Sequence, residues 1–234
     1  MKKLMLLLTL LISLGLSSCK KDEPKHIVLE YGTVTDIDGN SYQTVKINNQ
    51  WWMCQNLKTT RFNDGSVIPF FATNDTIGWQ AGPGYKTVSD SLYGQLYNYA
   101  AVLDSRGLAP EGWHIATDED WKKLERSIGM DSTDSELMAW RGQDEVNGIL
   151  PQNSNNWPTA SIHFGNNKYA LNINPGGVVL YNGQISANGL EAYFWTATQQ
   201  PNEAIYRSIS YQRTQIFRQF ANQRYGMSIR CVKN

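Results

Sequence analysis

Halfway along the chain, Gly112-Trp113-His114-Ile115-Ala116-Thr117-Asp118-Glu119-Asp120-Trp121 reads as extended backbone that turns sharply into a helix. Thr117 is the N-cap, its hydroxyl placed to accept from an orphan N–H of the first turn. Asp120, three residues on, takes the return position of a capping box. Asp118, Glu119 and Asp120 set negative charge against the positive end of the helix dipole. Trp121, Leu124 and Ile128 then mark one buried stripe, and Gly129 stops the helix.

The rest of the chain is rich in short strands and turns. Residues 31–36 read as a strand running into the Asp38-Gly39-Asn40 turn. Residues 42–47 and 51–56 pair as a hairpin about Asn48-Asn49, which tolerate positive φ. Residues 58–90 and 143–168 are polar and broken by Gly and Pro, so they are expected as long loops. A helix is expected over 92–103, with Leu92, Leu96, Tyr99 and Leu103 on one face, and a shorter one over 134–141. From Ala170 onward the pattern is all strand: 178–181 and 184–186 about Asn182-Gly183, then 193–198, 204–210, 215–221 and 226–232. Trp51, Trp113, Trp121 and Trp195 fall on regular elements and are assigned to the core. The expected fold class is α+β, short antiparallel sheets with two to three helices and long loops.

Several of these stretches carry a family resemblance. Residues 112–121, Thr35-Asp36-Ile37-Asp38-Gly39-Asn40, Trp52-Met53-Cys54-Gln55-Asn56-Leu57 and Tyr93–Tyr99 all resemble segments of the Fibrobacter succinogenes major paralogous domain. So do Phe194–Thr198 and Gly226–Lys233. The matches run in order over residues 31–234 as one domain. A more distant similarity to the formylglycine-generating, sulfatase-modifying family implies a C-type-lectin-like architecture.

Residues 1–18 read as a secretory leader, with basic Lys2 and Lys3 before an apolar run too short for a comfortable membrane span. The run ends in Leu16-Ser17-Ser18-Cys19, which resembles a bacterial lipobox. That resemblance implies cleavage before Cys19 and its acylation; the alternative is a signal-anchor helix. Lys20-Lys21-Asp22-Glu23 resembles the surface-export tether of Bacteroidetes lipoproteins, or is simply a solvated charged linker over 19–30. The expected location is the outer membrane, lipid-anchored and exposed at the cell surface.

Formal net charge is zero and no basic run interleaves with aromatics, so nucleic acid is not an expected partner. The family resemblance usually implies a partner for the C-terminal cysteine at the position of Ala109. Cys54 appears instead, so a relocated Cys54–Cys231 disulfide is expected, with two buried free thiols as the alternative. The copper-binding cysteine pair of the formylglycine-generating enzymes is missing, since only Cys231 falls late in the chain. His26, His114 and His163 show no metal-ligand spacing, and no nucleophile elbow or phosphate loop is present. The chain is therefore read as non-catalytic, with no cofactor.

Gln200-Pro201-Asn202 resembles the tripeptide that helps bind calcium and sugar in true C-type lectins. Its usual companion motif is absent, so Gln200 and Asn202 are weak metal candidates and a plain turn is the competing reading. What remains is ligand binding through loop aromatics. Trp79, Tyr85 and Trp157 stand among amides and hydroxyls, a combination suited to a glycan or to a protein partner. The competing reading is that they fold inward as small cores beneath the loops. An assembly subunit of a surface appendage or outer-membrane complex is the alternative function.

Overall fold

The computed structural model describes residues 29–72, 75–88, 91–152, 155–162 and 165–234; the leader, Cys19, most of the tether and His163 lie outside the described residues. In chain order the strands are β1 (Glu30–Thr35), β2 (Ser41–Ile47), β3 (Gln50–Met53), β4 (Tyr85–Thr87), β5 (Gln95–Asn98), β6 (Trp113–Ile115) and β7 (Ala139–Arg141). They continue as β8 (Val178–Val179), β9 (Ile185–Ser186), β10 (Glu191–Gln200), β11 (Glu203–Ser210), β12 (Ile216–Asn222), β13 (Gly226–Met227) and β14 (Cys231–Lys233). Among the described residues four short helices intervene, α1 (Thr76–Ala81), α2 (Tyr99–Val102), α3 (Asp118–Ser127) and α4 (Ser132–Glu136). The strands form three sheets, ordered β1-β2-β3-β14-β6, β10-β11-β12-β7 and β4-β5-β13-β8-β9. The architecture is strand-dominated α+β.

The first sheet is buried on both faces only at its inner strands, where β3 and β14 carry successive buried residues, while β1 at its edge stays largely exposed. Val45, Ile47, Trp52, Cys54 and Val232 point into one hydrophobic cluster with Trp121 and Leu124 of α3. Tyr42, Met53, Ile115 and Cys231 point into the other. The antiparallel register sets Val232 opposite Trp52, so Cys231 falls opposite Met53. Side chains alternate along each strand, and Cys54 therefore projects to the face opposite Cys231. Both thiols are buried and free. The expected Cys54–Cys231 bridge is not formed, because the pleat points its two halves apart.

The central helix forms as its sequence dictates. Thr117 Oγ1 accepts from the Asp120 N–H at 3.1 Å, and Asp120 Oδ2 accepts from the Thr117 N–H at 3.0 Å. Trp121 and Leu124 are buried, and Gly129 leaves the helix at φ +124°.

The other two helices expected from sequence are corrected. Residues 92–103 split into a 3-10 turn (Ser91–Tyr93), β5 and α2. Gly94 makes the break: it sits at φ +71°, and a Cβ there would meet the Leu57 carbonyl oxygen at 2.7 Å. Leu92 and Leu103 are exposed, whereas Leu96 and Tyr99 are buried. The helix expected over 134–141 ends at Glu136, and Ala139–Arg141 instead pairs with β12. Tertiary pairing overrides a short local pattern there. Residues 58–90 also hold more than loop, since α1 and β4 lie within them. Of the four assigned tryptophans, Trp121 and Trp195 are buried while Trp51 and Trp113 are only half-buried.

Candidate functional site

Three strands of the second sheet each carry an aromatic residue followed by arginine: Trp140-Arg141 in β7, Tyr206-Arg207 in β11 and Phe217-Arg218 in β12. Because successive side chains alternate across a strand, each pair sends its two members to opposite faces. A sheet with one solvated face ordinarily turns its aromatics in and its charges out. At these three pairs the sheet does the reverse, while Phe194, Ile209 and Ile216 share the arginines' face as ordinary core residues.

On the inner face the arginines meet the acids of α3. Glu125 is fully buried and accepts from Arg141 Nη1 and Nη2 at 2.8 and 2.9 Å and from Arg207 Nε at 2.7 Å. Asp118 takes Arg218 at 2.9 and 2.6 Å. Arg207 Nη1 lies 2.8 Å from Asp118 Oδ1 as an ion pair, off the hydrogen-bonding line. Burial pushes the Asp118 carboxyl up, but Arg218 and Arg207 outweigh it and hold it at about 2. Every carboxylate in this network has an arginine, as buried charge requires.

On the outer face the rings form a strip across four strands. Trp140 and Phe217 are directly opposite in register with centroids 4.9 Å apart. Phe217 and Tyr206 follow at 5.9 Å, and Tyr206 and Tyr193 stack at 6.0 Å. All four are half-buried. One margin of the strip is covered, for Tyr193 and Tyr206 pack partly on the cluster of Trp195, Tyr99, Val178 and Met227. Burial pushes the Tyr206 phenol up to about 12. Tyr193 donates to Glu191 at one end. Arg213, in the turn joining β11 to β12, holds its guanidinium 5.5 Å from the Trp140 ring at the other, a contact of about 0.5–1 kcal/mol where exposed. Half-exposed rings beside a hydroxyl and an amide (Gln219) offer flat apolar contact with polar groups at its margin.

The residues expected to bind from the loops are elsewhere. Trp79 is buried, its indole N–H donating to the Arg224 carbonyl at 2.8 Å and its ring edge-on to Phe71. Trp157 is buried too, donating to the Ile173 carbonyl at 3.1 Å. Tyr85 is half-buried between Phe70 and Tyr97. The three belong to or pack on three different hydrophobic clusters, so the fold does not bring them together. Trp79 and Trp157 are packing residues, because an indole whose N–H finds a backbone acceptor can be buried without loss, whereas Tyr85 keeps part of its ring accessible. Gln200 ends β10, and Pro201-Asn202 form the turn into β11, Asn202 at φ +65°. Gln200 Nε2 is engaged by Glu203 at 2.7 Å. Among the described residues no group of three His, Cys, Asp or Glu side chains is placed to hold a metal ion.

His114 is a capping partner, with Nε2 2.9 Å from Asp120 Oδ2 and Nδ1 2.7 Å from Asn234 Oδ1. The strip itself escaped sequence reasoning. The signal is an aromatic-Arg dipeptide repeated on three strands, hidden because residues 139–141 carry a local helical pattern and the three dipeptides are far apart in sequence.

The profile of the Fibrobacter succinogenes major domain matches residues 45–233, and the chain belongs to that family. No curated protein and no solved structure matches it.

Proposed function

We propose that this chain is a non-catalytic, lipid-anchored surface protein that binds an extracellular glycan on the aromatic strip Tyr193–Tyr206–Phe217–Trp140. The observation that carries this reading is the inverted sheet. Three arginines are buried while the four rings beside them form one continuous, partly exposed strip, and a contiguous aromatic surface of this kind marks a binding face. Aromatic planes lie flat against the apolar faces of sugar rings, and Gln219 with the Tyr206 hydroxyl supplies polar groups at the rim. A C-type-lectin-like architecture is part of this proposal, supported by the family resemblance and by the pairing of early and late strands in one sheet. Export and acylation at Cys19 rest on the sequence of residues 1–23.

A second reading, an assembly subunit, draws support from one observation. Leu137 and Met138 are exposed just before β7, the edge strand of the same sheet, and extend the apolar surface there.

The test is binding of the full-length protein, in detergent, to a glycan array with calcium and again with a chelator. The expected result is calcium-independent binding that falls at least tenfold in Tyr206→Ala and Trp140→Ala, whose urea midpoints report that they still fold. Absence of binding to every glycan removes this reading, and crosslinking at Leu137 to a surface protein would favour the assembly one.

A further inference from the structure

Arg213 stands apart from the other arginines of this region. Arg141, Arg207 and Arg218 are spent on buried carboxylates. Arg213 is exposed, and among the described residues no acidic side chain pairs with it. Its one contact of note is the face of Trp140, where its guanidinium carbon lies 5.5 Å from the ring centroid. The turn that carries it is anchored by the Arg213 N–H donating to the Ser210 carbonyl at 3.1 Å. A permanently charged, planar fork is thus held over the last ring of the strip with its donors unspent.

We infer that Arg213 makes the strip a reader of acidic glycans, taking the carboxylate or sulfate of the sugar that stacks at the Trp140 end. The inference rests on the glycan reading above and adds to it the substrate class. Charge complementarity carries it. A guanidinium pairs bidentately with either anion, and a neighbouring ring removes water from one side of that pair. The opposite end of the strip agrees, because Glu191 is there and is engaged by Tyr193, so an anionic group is favoured at the Trp140 end.

The experiment compares the full-length protein with Arg213→Gln and Arg213→Lys on polygalacturonate, its carboxyl-reduced polymer and a sulfated galactan. Wild type is expected to bind an acidic polymer about tenfold or more above the reduced one, the scale of a charge-assisted hydrogen-bonded pair. Arg213→Gln loses that preference, and Arg213→Lys recovers part of it. Removing the charge from protein and polymer together costs no more than removing either alone. Affinity falls with added salt only where both charges are present. Preference for polygalacturonate over the sulfated chain, or the reverse, assigns the anion. Equal binding of acidic and reduced polymers by wild type, with Tyr206→Ala still damaging, overturns the role of Arg213 and leaves the strip intact. No binding to any of the three overturns the acidic-glycan assignment, and the glycan reading itself then falls or stands on the array.

Discussion

The two faces of the second sheet share their strands and their backbone, yet they solve opposite problems. Inside, Arg141, Arg207 and Arg218 are buried and matched against Glu125 and Asp118. Outside, Trp140, Tyr206 and Phe217, each one residue earlier, stay half-exposed. A core built from a charge network is seldom more stable than an apolar one of the same shape. What the network does supply is fixed direction: three forked side chains locked to one helix hold three strands in register, and the rings on the reverse are held with them. The inner face is the frame and the outer face is what the frame presents.

The largest expected effect tests the frame. Glu125→Ala strands the buried Arg141 guanidinium and leaves Arg207 with Asp118 alone, and is expected to cost about 3–5 kcal/mol, measured by urea unfolding. A smaller loss would mean that the arginines find other partners. The contrasting variant, Glu125→Leu with Arg141→Met and Arg207→Met, removes charge from both sides and is expected to restore most of that stability. Loss of glycan binding in this refolded variant would sharpen the comparison, by showing that the network orients the outer rings.

Truncation on the outer face is expected to be milder for the fold. Tyr206→Ala should cost about 1–2 kcal/mol, roughly half of a fully buried aromatic deletion. A cost equal to that of Glu125→Ala would erase the distinction between the faces. The same contrast shows in pH. Asp118 has its folded pKa depressed from 3.8 to about 2, so its stabilisation is present above pH ~4 and is lost as pH falls toward 2, about 2 kcal/mol in all. Tyr206 has its folded pKa raised from 10.0 to about 12. Its preference for the neutral phenol supports the fold below pH ~10 and is lost as pH rises through 12. Asp118→Asn should therefore flatten the acid limb of a stability profile, and Tyr206→Phe the alkaline limb.

The smallest effect concerns the two thiols. Burial pushes Cys54 up to about 11 and raises Cys231 further. Neither is expected to react with iodoacetamide in the native protein, and both should be labelled at full yield once unfolded without reductant. A persistent unlabelled pair in the unfolded chain would restore the disulfide that the register excludes.

What could be read from sequence was whatever local chemistry decides. The capping box of Thr117 and Asp120 and the hairpin turning at Asn48 are fixed by residues next to one another, and both form. Residues 92–103 misled because apolar spacing alone cannot reveal Gly94 in a left-handed conformation. The loop tryptophans misled for a related reason. Trp79 and Trp157 are buried by carbonyls at Arg224 and Ile173, one of them far off in sequence. The aromatic strip was legible only in the alternation of three strands taken together, since each aromatic-Arg pair by itself looks like an ordinary amphipathic strand.

The position of β14 has a consequence for how the molecule comes into being. It lies between β3 and β6, with Val232 opposite Trp52 and His114. The first sheet therefore waits for this interior strand until nearly the whole domain has been synthesised, and contacts so distant in sequence form slowly. Until then β3 and β6 keep bare edges, open to pairing with other chains. For a chain exported as proposed, late closure is also an advantage. A sheet that cannot close early leaves the polypeptide threadable for as long as it is crossing a membrane.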